Sequence, residues 1–258
     1  MAKVYVITSG KGGVGKTTSA INLGAALNLF GTEVIVVDAN LTTPNIGLHL
    51  GAPVVPINLN HVINNKSKIE DAIYEHESGT KIIPASLSLD DLKKTNHHKL
   101  SEITKKLRRL SDHIILDCAA GLGEEAISAI KASDELIVIA NPEISSVTDA
   151  LKTIKLAERL NKTIKGFIIT RYQGARTEMS IPNIQDMLEV PLLGIIPEDR
   201  AIKESQVIKN AVVHTHPRSK SARSYKEIAK KILGPQYMKT RIESRESLFS
   251  KFLRKIGL

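Results

Sequence analysis

The 258-residue sequence predicts an α/β fold built on a doubly wound, mostly parallel sheet. Three observations carry that expectation. Short β-branched runs alternate with stretches of helical periodicity along most of the chain. Most of these runs are apolar throughout, as strands covered on both faces are. The first run leads through a glycine-rich segment directly into a helical pattern, a strand–loop–helix order that opens many sheets of this kind.

Val4-Tyr5-Val6-Ile7 marks the first strand, at 4–8, and Ile21, Leu23 and Leu27 mark the helix at 17–30. Between them stands Gly10-Lys11-Gly12-Gly13-Val14-Gly15-Lys16-Thr17-Thr18. Its glycines let the backbone curl until successive N–H groups point inward, and the helix N-terminus adds partial positive charge. The segment therefore reads as a phosphate cradle, with Gly10, Lys11, Gly12, Gly13, Val14, Gly15, Lys16, Thr17 and Thr18 as the expected nucleotide contacts. In the G-x-x-x-x-G-K-[ST] pattern Lys16 bridges the β- and γ-phosphates, and the Thr17 hydroxyl holds Mg2+.

Further strands are expected at 34–38, 81–84, 114–117, 136–140, 167–170 and 192–196, and helices at 99–111, 123–132, 147–161 and 219–233. Ligands of such sheets sit beyond the carboxyl ends of the strands. Asp38 and Asp117 each close an apolar run, the position from which enzymes with this loop hold Mg2+, usually through water. Thr42 and Thr43 follow, as phosphate or metal contacts or as turn caps. Gly234-Pro235 punctuates the end of a domain spanning 1–233, a polar linker runs over 234–246, and a short amphipathic segment fills 247–258.

With 42% hydrophobic residues the chain can bury one substantial core. No apolar run approaches the roughly 18 residues of a spanning helix, and the N-terminus reads as a strand, not a signal peptide. The single cysteine, Cys118, permits no internal disulfide, so a reducing cytoplasm is expected. It also argues against a metal-cluster carrier, which needs several thiolates. His97, His98, His214 and His216 have no metal-ligand spacing. There is no tryptophan and little aromatic content, so no stacking platform for single-stranded nucleic acid is evident. The net charge of +9 is unevenly placed: residues 218–258 hold 12 Lys/Arg and 3 Asp/Glu, while 1–217 hold 24 of each sign. The end of the chain thus invites an anionic partner, a membrane surface or nucleic acid, unless it is a solvated basic tail.

The form Lys11-Gly12-Gly13-Val14-Gly15-Lys16-Thr17-Thr18 resembles the deviant Walker A loop of the MinD/ParA ATPases, and nearly the whole chain is similar to the Min-type septum-site members. Asp117 to Gly121 looks like their second switch, Asn141 to Val147 like the segment after a central strand, and Asp149 like an aspartate of the next helix. Thr170-Arg171-Tyr172 and Ile196-Pro197-Glu198-Asp199 look like their base-binding segments. The resemblance implies a Rossmann-like, three-layer P-loop NTPase that binds ATP/ADP and Mg2+ and hydrolyses ATP. It implies catalytic roles for Lys11, Lys16, Asp38, Asn40 and Asp117, with Thr17, Asp38 and Asp117 at the metal. It further implies nucleotide contacts at Gly121, Asn141, Arg171, Pro197, Glu198 and Asp199. Lys11 would reach the nucleotide of a facing subunit, making ATP the glue of a symmetric homodimer; the alternative is contact with its own nucleotide alone. Pro197 and Asp199 have a second reading, as a strand end and a helix cap. Two positions depart from the family. Asn40 stands where the first switch has its second aspartate, so hydrolysis is expected to be slow, and Thr170 stands where Asn is common.

In the tail, Leu248, Phe249, Phe252, Leu253 and Ile256 fall on one helical face, with Lys251, Arg254 and Lys255 on the rest. That is the pattern of a helix lying in a membrane interface, and it is similar to the targeting helix of Min-type ATPases. Folding back on the body, or binding a protein groove, are the competing readings. The expected function is a membrane-associating ATPase that dimerises on ATP and positions a cellular machinery, the division site or a polar structure. It would be cytoplasmic, held peripherally at the inner face of the membrane, with an unidentified regulatory or cargo protein. A DNA-partitioning ATPase is the alternative; the neutral body and amphipathic end argue against it and against specific nucleic-acid binding. A nucleotide-gated module without useful catalysis is a further reading, which Asn40 keeps open.

Overall fold

All seven expected strands pair in one sheet of eight in a computed structural model, which describes residues 2–92 and 96–234. The strands are β1 (Lys3–Thr8), β2 (Val34–Asp38), β3 (Tyr74–Glu75), β4 (Lys81–Ile83), β5 (His113–Asp117), β6 (Glu135–Ala140), β7 (Thr163–Tyr172) and β8 (Leu192–Pro197), in the order β3-β4-β2-β5-β1-β6-β7-β8. Every pairing is parallel except β3 with β4.

The helices are α1 (Lys16–Leu29), α2 (Ile46–His49), α3 (Leu59–Ile63), α4 (Leu89–Leu92), α5 (Leu100–Leu107), α6 (Glu124–Ala132), α7 (Ile144–Arg159), α8 (Ile181–Leu188), α9 (Arg200–Val207), α10 (Val212–Thr215) and α11 (Lys220–Leu233). Successive strand residues point to opposite faces, so an all-apolar strand feeds two cores. Ile7, Val36 and Ile115 pack under α1, α10 and α11. Their neighbours Val6, Val37 and Ile114 pack under α3, α5 and α6. Val138, Phe167 and Ile169 pack under α7 and α8. The result is the three-layer, doubly wound architecture expected from the sequence.

The register places the two expected aspartates side by side. Asp38 pairs with Asp117 across β2 and β5, and Asp117 pairs with Ile7 across β5 and β1. The loop that follows β1 therefore opens directly above both carboxylates.

Seven elements were not expected: β3 and the helices α2, α3, α4, α8, α9 and α10. The antiparallel edge strand β3 is two residues long and carries no apolar run. Helix α8 is capped by Ser180 and α9 by Asp199, while α10 is a single turn. The helix expected at 99–111 ends at Leu107. No helix among the described residues is long and apolar enough to cross a membrane. The segment 247–258, with Leu248, Phe249, Phe252, Leu253 and Ile256, and the linker after Gly234 lie outside the described residues.

Candidate functional site

The loop leaves β1 at Ser9 and enters α1 through Gly15, whose φ of 95° caps the helix in the left-handed region. A side chain there would be strained, so glycine permits the sharp entry into α1. Gly10 has a different reason: an added Cβ would stand 2.6 Å from the Cβ of Asp149 on α7. The loop thus runs flush against that helix.

Lys16 is buried, 8% exposed, with its Nζ donating to Ser9 Oγ at 3.0 Å. Ser9 Oγ in turn donates to the Lys11 carbonyl at 2.6 Å. Burial lowers the pKa of Lys16, opposed by the charge of Asp117. An ammonium with three donors and one bond to Ser9 retains hydrogen-bonding capacity for a phosphate.

Beneath the loop, Thr17 Oγ1 donates to Asp117 Oδ2 at 2.6 Å. Asp38 Oδ2 accepts from the backbone N–H groups of Asn45 and Ile46 at 2.8 and 2.9 Å, which fixes the start of α2. The remaining oxygens, Asp38 Oδ1 and Asp117 Oδ1, are buried without a hydrogen-bond partner among the described residues. Burial pushes the Asp117 pKa up to about 6 against the help of Thr17 and Lys16. Burial, and then the neighbouring Asp117, push Asp38 well above the ordinary carboxylate range. Two adjacent buried carboxylates with an orphaned oxygen each present an electrostatic demand for a cation. With the Thr17 hydroxyl they make a hard, all-oxygen donor set, which fits Mg2+ completed by water. No cluster of three or more His, Cys, Asp or Glu exists among the described residues, so a multidentate transition-metal site is not built there.

Asn40 is occupied by its own turn. Its Nδ2 donates to the Thr43 carbonyl at 2.6 Å, and its Oδ1 accepts from Thr43 N and Oγ1 at 3.3 and 3.1 Å. Thr42 N and Oγ1 donate to the two oxygens of Glu125 on α6 at 3.0 and 2.8 Å. Thr43 therefore acts as a turn cap, while Thr42 ties its loop to α6. The Gly121 N–H is likewise engaged, donating to the Ser9 carbonyl at 3.0 Å.

Two connected cavities open at the loop. One, of about 360 Å³, is lined by Gly12, Gly13, Lys16, Thr17, Asn40 and Asn45 among others. The second, of about 370 Å³, lies between Val14, Thr170, Ile196, Pro197, Glu198 and Tyr225. Gly15, Thr18, Arg171 and Gln206 line both. A cationic, amide-rich chamber joined to a more apolar one has the shape and polarity of a nucleotide site. Thr170 sits at the junction, 4% exposed, and its hydroxyl donates to the Val14 carbonyl at 2.6 Å. Its 2.9 Å contact with the Asn141 side chain is satisfied when that amide presents its NH2.

Pro197 ends β8, and the Glu198 N–H donates to the Tyr172 carbonyl at 2.9 Å. Asp199 spends its carboxylate on structure: Oδ1 accepts from Ala201 N at 3.0 Å, and Oδ2 from Ser221 N and Oγ at 3.0 and 2.8 Å. Burial works against its charge, but these bonds outweigh it and hold its pKa low. Asp199 thereby caps α9 and ties the start of α11 to it, leaving the cavity to backbone groups nearby. Ser9, Glu125, Gln206 and Tyr225 were not singled out from the sequence. Only Ser9, next to the loop, had a local signal; the others arrive through the packing of α6, α9 and α11.

Lys11 turns away from these cavities. Its Nζ lies 3.3 Å from Glu143 Oε2 and 3.4 Å from Ser145 Oγ, with the side chain 43% exposed. Close by in the chain, Ile144 after Glu143 is 62% exposed, and Leu122 after Gly121 is 40% exposed.

Comparison with known proteins agrees with this geometry. Residues 5–212 match the family model described as the CobQ/CobB/MinD/ParA nucleotide binding domain. An uncharacterized ATP-binding protein of Methanocaldococcus jannaschii is 41% identical over 254 residues, covering 98% of this chain and 96% of the relative. The septum site-determining protein MinD of Neisseria meningitidis is 30% identical, covering 98% of this chain and 99% of the relative. Among solved structures, MinD of Pyrococcus horikoshii complexed with Mg-ADP superimposes with a TM-score of 0.86 at 37% identity, covering 90% of this chain and 96% of that one.

Proposed function

Because the chain belongs to the CobQ/CobB/MinD/ParA nucleotide-binding family, we propose that it is a Min-type switch ATPase that binds Mg·ATP, dimerises through it and attaches to a membrane by its C-terminal end. The observation that carries this reading is the division of labour between two lysines on one loop. Lys16 is buried on Ser9 beside the paired aspartates, while Lys11 is turned outward onto Glu143. A cation for the chain's own phosphates and a second facing outward from the same loop suit a nucleotide sandwiched between two copies, whose concentrated negative charge needs neutralising from both sides.

Thr17, Asp38 and Asp117 would hold Mg2+, which supplies charge neutralisation on the phosphate oxygens. Lys16 and the loop amides of Gly10 to Thr18 would bind the phosphates. The backbone around Pro197 to Asp199, with Asn141 and Arg171, would frame the base. Exposed Leu122 and Ile144 would be covered by the partner copy. With the Asn40 amide closed on Thr43, no carboxylate stands at position 40 to take a proton from water, so turnover would be slow and the ATP-bound state long-lived. The cargo would be set by a partner protein that recognises that dimer.

The test is sizing by light scattering with a non-hydrolysable ATP analogue or ADP, together with co-sedimentation with anionic vesicles. A dimer with the analogue only, sedimenting far better than the ADP form, is expected. A monomer with both nucleotides would overturn the switch. Phe252→Glu, at the centre of the apolar face of 247–258, should abolish sedimentation and leave nucleotide affinity intact; sedimentation like the parent would overturn the membrane reading.

A further inference from the structure

Helix α11 buries Ser221, Ala222, Tyr225, Ile228, Ala229 and Ile232 against the body. At about 100° per residue, Lys220, Arg223, Lys226, Lys230 and Lys231 fall within an arc of about 140° on the opposite side. The one acidic residue in that arc is Glu227, which pairs with Lys230 at 2.6 Å. Three of the other cations rest on backbone carbonyls. Arg223 Nε donates to the Arg218 carbonyl at 3.0 Å, Lys226 Nζ to Pro217 at 2.8 Å, and Lys231 Nζ to Leu193 at 2.7 Å. A carbonyl orders a cation without cancelling its charge. The face is thus a row of positive groups drawn down against the body, along a 14-residue helix of roughly 21 Å.

We infer that this face of α11 is an electrostatic contact for an anionic lipid surface, lying against the membrane beside the C-terminal segment. Charge complementarity selects the occupant. Residues 235–258 carry six Lys/Arg and two Asp/Glu, so the chain's own end is repelled from the face. A second copy of the face is repelled for the same reason. An anionic partner remains. The chain leaving α11 runs, within 24 residues, through the apolar positions Leu248, Phe249, Phe252, Leu253 and Ile256, which suit lipid and have no use on a duplex. The inference rests on the membrane reading proposed above and assigns it a second contact, on the described body.

The experiment uses the full chain with the ATP analogue and vesicles of phosphatidylglycerol and phosphatidylcholine, or of phosphatidylcholine alone. The variants are Lys220→Glu/Arg223→Glu/Lys226→Glu and the neutral set Lys220→Gln/Arg223→Gln/Lys226→Gln. Near an anionic surface each cation adds about 1 kcal/mol, screened by salt. The Glu set should lose at least about tenfold in binding to the anionic vesicles at low salt, and the Gln set less, with nucleotide affinity and circular dichroism unchanged. High salt should bring the parent down to the level of the variants, and phosphatidylcholine alone should show no difference. Parental binding by both sets would overturn the inference, as would loss of duplex-DNA binding with vesicle binding intact. Failure of the tail reading is told apart by Phe252→Glu: if that variant binds normally while the Glu set does not, the tail reading falls and the α11 contact stands.

Discussion

Asn40 Nδ2 donates to the carbonyl of Thr43 at 2.6 Å, so this side chain is closed on its own loop. Aspartate has no N–H to give that carbonyl, and a carboxylate at this distance would repel it. Asn40→Asp should therefore both open the turn and supply a proton acceptor. Steady-state ATP turnover should rise about tenfold, which needs about 1.4 kcal/mol of transition-state stabilisation, and the ATP dimer should become shorter-lived. An unchanged rate would mean that water is positioned from elsewhere, with Asp38 the first place to look.

The two lysines should separate cleanly. Lys16→Ala removes the buried ammonium on Ser9 and should abolish nucleotide binding by calorimetry. Lys11→Ala removes an exposed pair with Glu143 and a long contact with Ser145, of which the ion pair is worth about 0–1 kcal/mol in the monomer. Stability and nucleotide binding should then change little, while the ATP dimer is lost. Full dimerisation of Lys11→Ala would eliminate the trans-acting lysine.

The aspartate pair makes the metal-free protein sensitive to pH. The folded Asp117 pKa of about 6 exceeds the ordinary value of 3.8, so the folded state holds this proton more tightly than the unfolded chain does. Its stabilising contribution is complete below about 4 and is lost as pH rises through about 6. Asp117→Asn, which cannot lose a proton, should stabilise the metal-free protein more at pH 7.5 than at pH 5, by about 1 kcal/mol. Urea melts in chelator at the two pH values measure this. The same variant should lose the stabilisation that Mg2+ with nucleotide gives the parent. An equal gain at both pH values would show that Asp117 titrates normally.

Thr170 ties the loop to β7 by donating to the Val14 carbonyl at 2.6 Å. Thr170→Val keeps the shape and strands that buried carbonyl, at a cost of about 1–3 kcal/mol. Chemical denaturation should register the loss, and nucleotide affinity should fall because the loop is no longer pinned. Thr170→Ser keeps the hydroxyl and should restore affinity; if Val and Ser variants bind alike, the bond does not shape the loop.

Much of this was legible because it depends on local pattern. Seven of the eight strands contain apolar runs, and Lys16, Thr17 and Asp117 occupy positions set by loop spacing and strand ends. The pairing of Asp38 with Asp117 follows once β2 and β5 are neighbours. The Ser180 cap and Pro182 in the first turn of α8 are local signals of a helix start. Others had none. Gln206 donates to Thr18 across 188 residues, and Tyr225 meets Ser19 across 206. Glu125 finds Thr42 only because the loops after β2 and β5 fold together. Asn40 stood out as a departure from a family pattern, but its closure on Thr43 depends on a turn that the residue types alone do not dictate.

Two of the polar contacts that fasten helix α11 lie at its start and its middle. Its first turn hangs from the Asp199 carboxylate, and its middle meets α1 where Tyr225 Oη and Ser19 Oγ stand 3.2 Å apart. The loop and the root of the C-terminal segment thus belong to one chassis, with α1 as the shared axle. Such a body has no need of an internal lever to report what sits on its loop. In the proposed dimer, location would become a matter of how many chassis are coupled, and the spacing between two roots would be machined in advance by whatever joins the loops.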